Sequence, residues 1–120
     1  QLIREVAGDR PLYVSVDVDV VDPAFAPGTG TPAPGGLTSR ELLGLLNAVG
    51  DLNPVAFDVM EVCPPFDHSG ITALLAAEVG AELLYQYLRA HRGDSTVRPT
   101  FSRTNVTNGA TFPTESKGKP

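Results

Sequence analysis

One stretch decides the fold: Pro11-Leu12-Tyr13-Val14-Ser15-Val16-Asp17-Val18-Asp19, with residues 20–37 behind it. Apolar and polar side chains alternate along it and valine is frequent, so the pattern predicts a β-strand with its even-numbered residues on one face. Residues 20–37 hold four prolines and four glycines, too many for a helix or a strand. They predict a long, shaped loop that leaves the carboxyl end of the strand.

The chain beyond this loop alternates helix and strand. Thr38 and Glu41 form a capping box, which predicts that a helix begins there. Its expected inward residues are Leu42, Leu45, Leu46 and Val49. Residues 55–62 predict a second strand, and apolar residues at helical spacing predict a helix over residues 71–91.

This order predicts an α/β fold with parallel strands and with ligands at the carboxyl ends of those strands. Two strands cannot complete a parallel sheet, because such a sheet buries both faces and needs neighbours on each side. We therefore expect this chain to be part of a larger α/β domain.

Composition limits the function classes. The chain has 120 residues, 42% hydrophobic and 19% charged, which suits one small globular domain. Its net charge of −5 argues against nucleic acid as a partner and favours cations or cationic substrates. Cys63 is the only cysteine, so a disulfide framework is excluded and a reducing compartment is expected. No apolar run reaches the roughly 18 residues that a membrane span needs, so no membrane is expected.

A change in composition near residue 92 divides the chain. Residues 1–92 carry twelve acidic residues against five arginines, a net charge of −7, whereas residues 93–120 carry two acids and four bases. Small and polar residues dominate the second part. Residues 93–120 are therefore predicted to be a disordered tail.

Asp17 and Asp19 are the residues whose chemistry stands out. Two positions apart on a strand, they would leave the same face about 6.6 Å apart along the chain, at a rise of about 3.3 Å per residue. If their carboxylates approach to about 5 Å, the repulsion is about 3 kcal/mol at an effective dielectric constant near 20. A divalent cation between them would reverse that cost. The alternative is a solvated sheet edge with two ordinary acids.

The sequence excludes some, but not all, of the other functions that use an Asp-x-Asp motif. A calcium-binding EF-hand loop is excluded, because Asp22 and Gly28 stand where that loop needs glycine and glutamate. A haloacid-dehalogenase-type phosphatase also needs a lysine against the phosphate, and the first lysine here is Lys117. A nucleotide-sugar transferase, which holds manganese and a diphosphate with this motif, stays open.

Two longer stretches resemble the ureohydrolase family, and agmatinases more closely than arginases. The first is SVDVDVVDPAFAPGTGTP over residues 15–32, continued by GGLT over residues 35–38. The second is DVMEVCPPFDH over residues 58–68, with ITA over residues 71–73. Together the resemblance covers residues 11 to about 91. It implies that the larger domain is a three-layer αβα arginase-like fold with a parallel central sheet.

The resemblance also implies a reaction and a set of roles. In that family two manganese ions share the hydroxide that attacks a guanidinium carbon, which releases urea and an amine. Matched by motif, Asp17 would bind both ions and Asp19 one of them. Glu61 corresponds to the glutamate that binds the guanidinium group, and Thr31 to a threonine near the active site. Beyond the metal-activated hydroxide, the resemblance assigns no catalytic group to this chain.

Two other side chains near Glu61 carry weaker hypotheses. His68 could shuttle protons or bind metal, although its neighbour Asp67 suggests a loop that caps the following helix. Cys63 could be a thiol nucleophile, but a negatively charged neighbour raises the pKa of a thiol and so weakens that hypothesis.

The chain departs from the family in length and in ligands. Family members are about two and a half times as long and carry the other ligands upstream, so residues 1–92 are expected to be the C-terminal part of a ureohydrolase domain. Alone, such a part is expected to be inactive. The alternative is a non-catalytic remnant or interaction module. For the complete protein the resemblance implies a small cationic guanidino substrate, a homo-oligomer, and a location in the cytoplasm, or in the mitochondrion if an upstream segment carries a transit peptide.

Overall fold

The computed structural model describes residues 2–49 and 52–92. Its helices are α1 (Leu2–Ala7), α2 (Ser39–Val49) and α3 (Ile71–Arg92), and its strands are β1 (Leu12–Asp17) and β2 (Pro54–Met60). Short 3-10 turns span Val18–Val20 and Pro64–Phe66. The disordered tail predicted for residues 93–120 lies outside the described residues.

The two strands are parallel, as the alternating order of helices and strands predicted. Leu12 pairs with Pro54 at one end of the ladder, and Asp17 pairs with Met60 at the other. The first loop (residues 18–38) and the second loop (residues 61–70) therefore leave the sheet at the same edge. This arrangement brings the two sequence motifs together.

A single apolar core joins both long helices to one face of the sheet. Its buried members come from both helices, β1 and the first loop: Val16, Val21, Ala26, Leu42, Leu46, Leu75, Val79 and Leu83. Phe57 and Val59 of β2 pack against it. Among the described residues no helix covers the opposite face, on which Tyr13 and Met60 are exposed. Within the described residues, no helix is both long enough and apolar enough to span a membrane.

The sequence predicted the long elements well and the short ones poorly. The capping box forms as expected, because the Thr38 amide donates to Glu41 (2.8 Å) and the Glu41 amide donates to the Thr38 hydroxyl (3.2 Å). The prediction that Leu45 points inward was wrong, since this side chain is 55% exposed. The six-residue helix α1 was not predicted, because one and a half turns are too short to show helical periodicity.

Gly80 gives a direct test of the packing around α3. A Cβ atom built on Gly80 meets nothing within 4 Å, so Gly80→Ala is expected to raise the free energy of unfolding by about 1 kcal/mol through helix propensity alone. The matched control is Gly70→Ala just before the helix. Gly70 has a φ of 70°, and alanine there should cost about 1 kcal/mol. Urea unfolding of both variants measures whether the free energy of unfolding rises in Gly80→Ala and falls in Gly70→Ala. A loss of stability in Gly80→Ala would contradict the packing described.

Candidate active site

Asp17 and Asp19 lie at the carboxyl end of β1, but not on one face of it. The strand ends at Asp17, whose carboxylate accepts a hydrogen bond from the Asp19 amide (2.9 Å) and so caps the 3-10 turn Val18–Val20. The prediction that both side chains leave the same face of a strand was therefore wrong. The short side chain of aspartate can accept a hydrogen bond from the backbone amide two residues later. Here this local hydrogen bond ends the strand and begins a turn.

The Asp19 carboxylate has two different environments. Its Oδ2 atom accepts a hydrogen bond from the Thr31 hydroxyl, which comes from the far side of the first loop. Its Oδ1 atom is buried and has no hydrogen-bond partner among the described residues. A buried carboxylate oxygen without a partner is costly, so this atom points to a missing positively charged or hydrogen-bonding group.

A manganese ion fits the chemistry of this place. Carboxylate oxygens are hard ligands of the kind that manganese takes, and Asp19 supplies a buried oxygen that none of the described residues satisfies. Asp17 adds a second carboxylate two residues away. Within residues 2–49 and 52–92, however, no group of three or more His, Cys, Asp or Glu side chains could hold a metal ion. The described part therefore offers at most two candidate carboxylates, which is fewer than a complete coordination shell needs.

Glu61 stands directly after β2 in a strained backbone conformation. Its φ is 65°, and no other non-glycine residue of the described ranges has a positive φ. A glutamate in this left-handed region costs about 1–2 kcal/mol, so the neighbours must impose it. They do so on both sides: Met60 pairs with Asp17, and Val62 forms a bridge with Thr29. Because the Glu61 side chain is exposed, its carboxylate is accessible to a ligand at this edge.

The two loops are joined next to Glu61. The Cys63 amide donates to the Gly28 carbonyl (2.8 Å), and the Gly28 amide donates to the Thr72 hydroxyl in α3 (2.7 Å). Gly28 has no room for a side chain, since a Cβ atom there would lie 2.9 Å from the Asp67 Cα atom. Sequence reasoning missed Gly28 and Thr72 as individual residues, because their partners are 35 and 44 positions away and leave no local pattern.

Asp22 holds the first loop in shape. Its carboxylate accepts hydrogen bonds from the amides of Ala24 (2.8 Å) and Gly35 (2.7 Å), and these bonds lower the pKa of the Asp22 carboxyl below its usual value. The two ends of the loop are joined next to Asp22, because the Leu37 amide donates to the Val20 carbonyl. Asp22 thus helps to hold the loop in the conformation in which Thr31 contacts Asp19.

Asp67, and not His68, has a defined structural role in the second loop. Its carboxylate accepts hydrogen bonds from the amides of Thr72 (3.1 Å) and Ala73 (2.8 Å) and so caps α3. Burial on its own raises the pKa of the Asp67 carboxyl, but these bonds and the Thr72 hydroxyl outweigh burial and lower it. His68 is exposed beside it.

This cap should make stability depend on pH in the acid range. The folded pKa of Asp67 lies below its ordinary value of 3.8, so its contribution is present above pH 3.8 and is lost as the pH falls through the folded value. Asp67→Asn is therefore expected to be less stable than the unsubstituted protein at about pH 6, with a difference that shrinks toward about pH 3. Urea unfolding across this range measures it, with Asp9→Asn, at an exposed turn, as the charge control. A difference that is constant with pH would contradict the cap.

Comparison with known proteins places this chain in a family. A family profile described as "Arginase family" matches residues 1–85, so the chain belongs to the arginase family. The family resemblance and the arginase-like α/β fold predicted from the sequence are thereby confirmed, and the family is one of ureohydrolase enzymes.

Individual relatives agree with this assignment. A proclavaminate amidinohydrolase of Streptomyces clavuligerus is 77% identical over 91 residues, which are 76% of this chain and 29% of that protein. An agmatinase of Cronobacter sakazakii is 53% identical over 83 residues, or 69% of this chain and 27% of that protein. The chain thus spans less than a third of the length of these relatives.

Solved structures give the same result. The structure of proclavaminate amidinohydrolase from Streptomyces clavuligerus superposes with a TM-score of 0.72 at 77% identity, over 75% of this chain and 31% of that one. A hypothetical agmatinase from Burkholderia thailandensis gives a TM-score of 0.72 at 44% identity, over 77% of this chain and 29% of that one.

Proposed function

We propose that residues 1–92 are the C-terminal part of a manganese-dependent hydrolase that cleaves a guanidino compound to urea and an amine. The observation that carries this proposal is the Asp19 Oδ1 atom, which is buried and has no hydrogen-bond partner within residues 2–49 and 52–92. Membership of the arginase family supports the reaction class. One relative is named an amidinohydrolase and another an agmatinase, and both names fit this reaction class.

We propose the following roles at the metal site. Asp17 and Asp19 would hold manganese, which when bound activates water for hydrolysis near neutral pH. Thr31 donates its hydroxyl proton to Asp19 Oδ2 and thereby fixes which oxygen of Asp19 is left for a metal. This contact supports Thr31 as a residue that orients a ligand, in addition to the substrate contact implied by the resemblance.

Glu61 would bind the substrate. A carboxylate can accept two parallel hydrogen bonds from a planar guanidinium group, which fixes the orientation of that group. The exposed position of Glu61 at the same sheet edge as Asp17 suits this role. Residues 1–92 carry a net charge of −7, which favours the approach of a cationic substrate.

The proposal names a class of substrate and not a single compound. Both agmatine and the substrate of an amidinohydrolase carry the amidino group that Glu61 would hold, and none of the described contacts reads the rest of such a molecule. The proposal is therefore a small cationic guanidino compound, with agmatine as its simplest example.

Two ligands do not make an active centre. Manganese prefers six oxygen or nitrogen ligands, and the described residues group no more than two carboxylates for it. We therefore propose that the 120-residue chain alone does not hydrolyse guanidino compounds. If instead it is a non-catalytic remnant, completing the domain will not restore activity either.

For the complete protein we further propose a homo-oligomer, on the basis of family membership, and a cytoplasmic location, because a lone cysteine suits a reducing compartment. The acidic charge argues against a nucleic-acid partner. Analytical ultracentrifugation of a completed protein would test the oligomer.

A chimera tests the proposed function. In this protein, called the chimera below, the matched residues of this chain replace the corresponding segment of the Streptomyces clavuligerus proclavaminate amidinohydrolase. We expect manganese-dependent release of urea in the parent's own reaction, and none from the 120-residue chain. Assay of both chimera and parent with agmatine shows whether this segment changes the substrate. A folded, manganese-loaded chimera without activity would contradict the proposal and favour the remnant.

A further inference from the structure

Thr72 occupies a position that the proposed reaction does not explain. It lies in the first turn of α3 and is fully buried, one of few polar side chains in the core. Its hydroxyl oxygen accepts a hydrogen bond from the Gly28 amide at 2.7 Å, across 44 residues of sequence. A buried threonine that bonds to a distant backbone amide holds two parts of the chain together.

The Gly28 peptide extends this contact to the second loop. Its amide side faces Thr72, and its carbonyl accepts the Cys63 amide at 2.8 Å. The next residues in each loop continue the contact, because Thr29 and Val62 form an antiparallel bridge. Val62 directly follows Glu61, so a continuous set of hydrogen bonds leads from α3 through the first loop to the residue beside Glu61.

The direction of the hydrogen bond between Gly28 and Thr72 is fixed by its chemistry. An amide N–H only donates, so the Thr72 hydroxyl oxygen is the acceptor. The backbone of Thr72 is held as well, because the Asp67 carboxylate accepts from the Thr72 amide at 3.1 Å. Valine at this position has nearly the same shape but would leave a buried Gly28 amide without an acceptor.

We propose that Thr72 is a positioning residue: through Gly28 and Cys63 it sets the loop that carries Glu61 against the loop that carries Asp19. This inference rests on the proposed function, in which Glu61 binds the guanidinium group. Thr72 contacts neither substrate nor metal. Its loss should therefore weaken substrate binding through Glu61 and leave manganese binding by Asp17 and Asp19 largely intact.

The test compares Thr72→Val with Thr72→Ser, which keeps the hydroxyl. In the 120-residue chain, Thr72→Val is expected to speed hydrogen exchange of the Gly28 and Cys63 amides about tenfold relative to amides of the α3 core, and Thr72→Ser to restore protection. In the chimera, Thr72→Val is expected to raise KM for the guanidino substrate about five- to tenfold, with a smaller change in kcat and in manganese affinity. Leu83→Ala, in the same helix, controls for a general loss of stability.

The outcomes separate the two proposals. Unchanged Cys63 exchange and unchanged KM in Thr72→Val would overturn the positioning role, and so would a Thr72→Ser variant that behaves like valine. A KM change matched by Leu83→Ala would also overturn it. If the unsubstituted chimera releases no urea, the proposed function fails instead, and amide exchange still decides whether Thr72 joins the loops.

Discussion

Asp19→Ala is expected to remove at least about a thousandfold of the chimera's rate of urea release. Loss of groups that only orient metal ligands already costs about 10- to 100-fold, and Asp19 is proposed as a ligand itself. Asp17→Ala should behave in the same way. Steady-state assays at saturating manganese measure the loss, and full activity in either variant would contradict the ligand assignment.

The same substitution has a second readout that does not depend on catalysis. At a manganese concentration one hundred times the dissociation constant, binding to the folded state should stabilise the unsubstituted chimera by about 2.7 kcal/mol. Asp19→Ala should lose that gain. Without metal, this variant should be about as stable as the unsubstituted chimera, because it also removes a buried oxygen that lacks a partner in the described part of the chain.

Asp9→Ala is the matched control for Asp19→Ala. It removes the same charge from an exposed turn before β1, at the opposite end of that strand. It should keep both the activity and the stabilisation by manganese. If Asp9→Ala and Asp19→Ala behave alike, the effect is one of net charge, and no metal site at Asp19 follows.

Gly28→Ala is expected to have the largest effect on the geometry of the site. The added Cβ atom would lie 2.9 Å from the Asp67 Cα atom and closer still to its side chain, so the first loop must move away from the second loop. Such overpacking costs about 3 kcal/mol of folding free energy. A displacement of about 1 Å between the two loops should also lower kcat/KM of the chimera about a hundredfold.

The control for Gly28→Ala lies two residues further along the same loop. A Cβ atom on Gly30 meets nothing within 4 Å, so Gly30→Ala should change stability by no more than about 0.5 kcal/mol. Chemical unfolding and steady-state kinetics of both variants measure the contrast. Equal effects at the two positions would show that the first loop does not pack against Asp67 as described.

Local signals explain what the sequence predicted. The capping box at Thr38 and Glu41 needs only residues three apart, and it forms as expected. The alternation in β1 and the helical spacing in α3 each reflect burial on one face, which the core confirms with Val16, Val79 and Leu83. From these elements alone, both loops can be placed at one sheet edge, and no long-range contact has to be known.

The details of the site depend on contacts between distant residues, which is why the sequence did not predict them. Asp17 could continue the strand or cap a turn, and the Asp-Val-Asp pattern is the same in both cases. The positive φ of Glu61 is imposed through its two neighbours. Met60 pairs with Asp17 and Val62 with Thr29, and both partners are more than thirty residues away. In the sequence Gly28 is one of several glycines in the loop. Only the structure shows that Asp67 packs against it and leaves no room for a side chain.

The central claim is that Asp17 and Asp19 are metal ligands. The most direct measurement is anomalous scattering at the manganese absorption edge from crystals of the manganese-loaded chimera. We expect anomalous density in contact with the carboxylates of both aspartates. Well-ordered crystals in which both carboxylates face solvent, with manganese bound elsewhere, would contradict it.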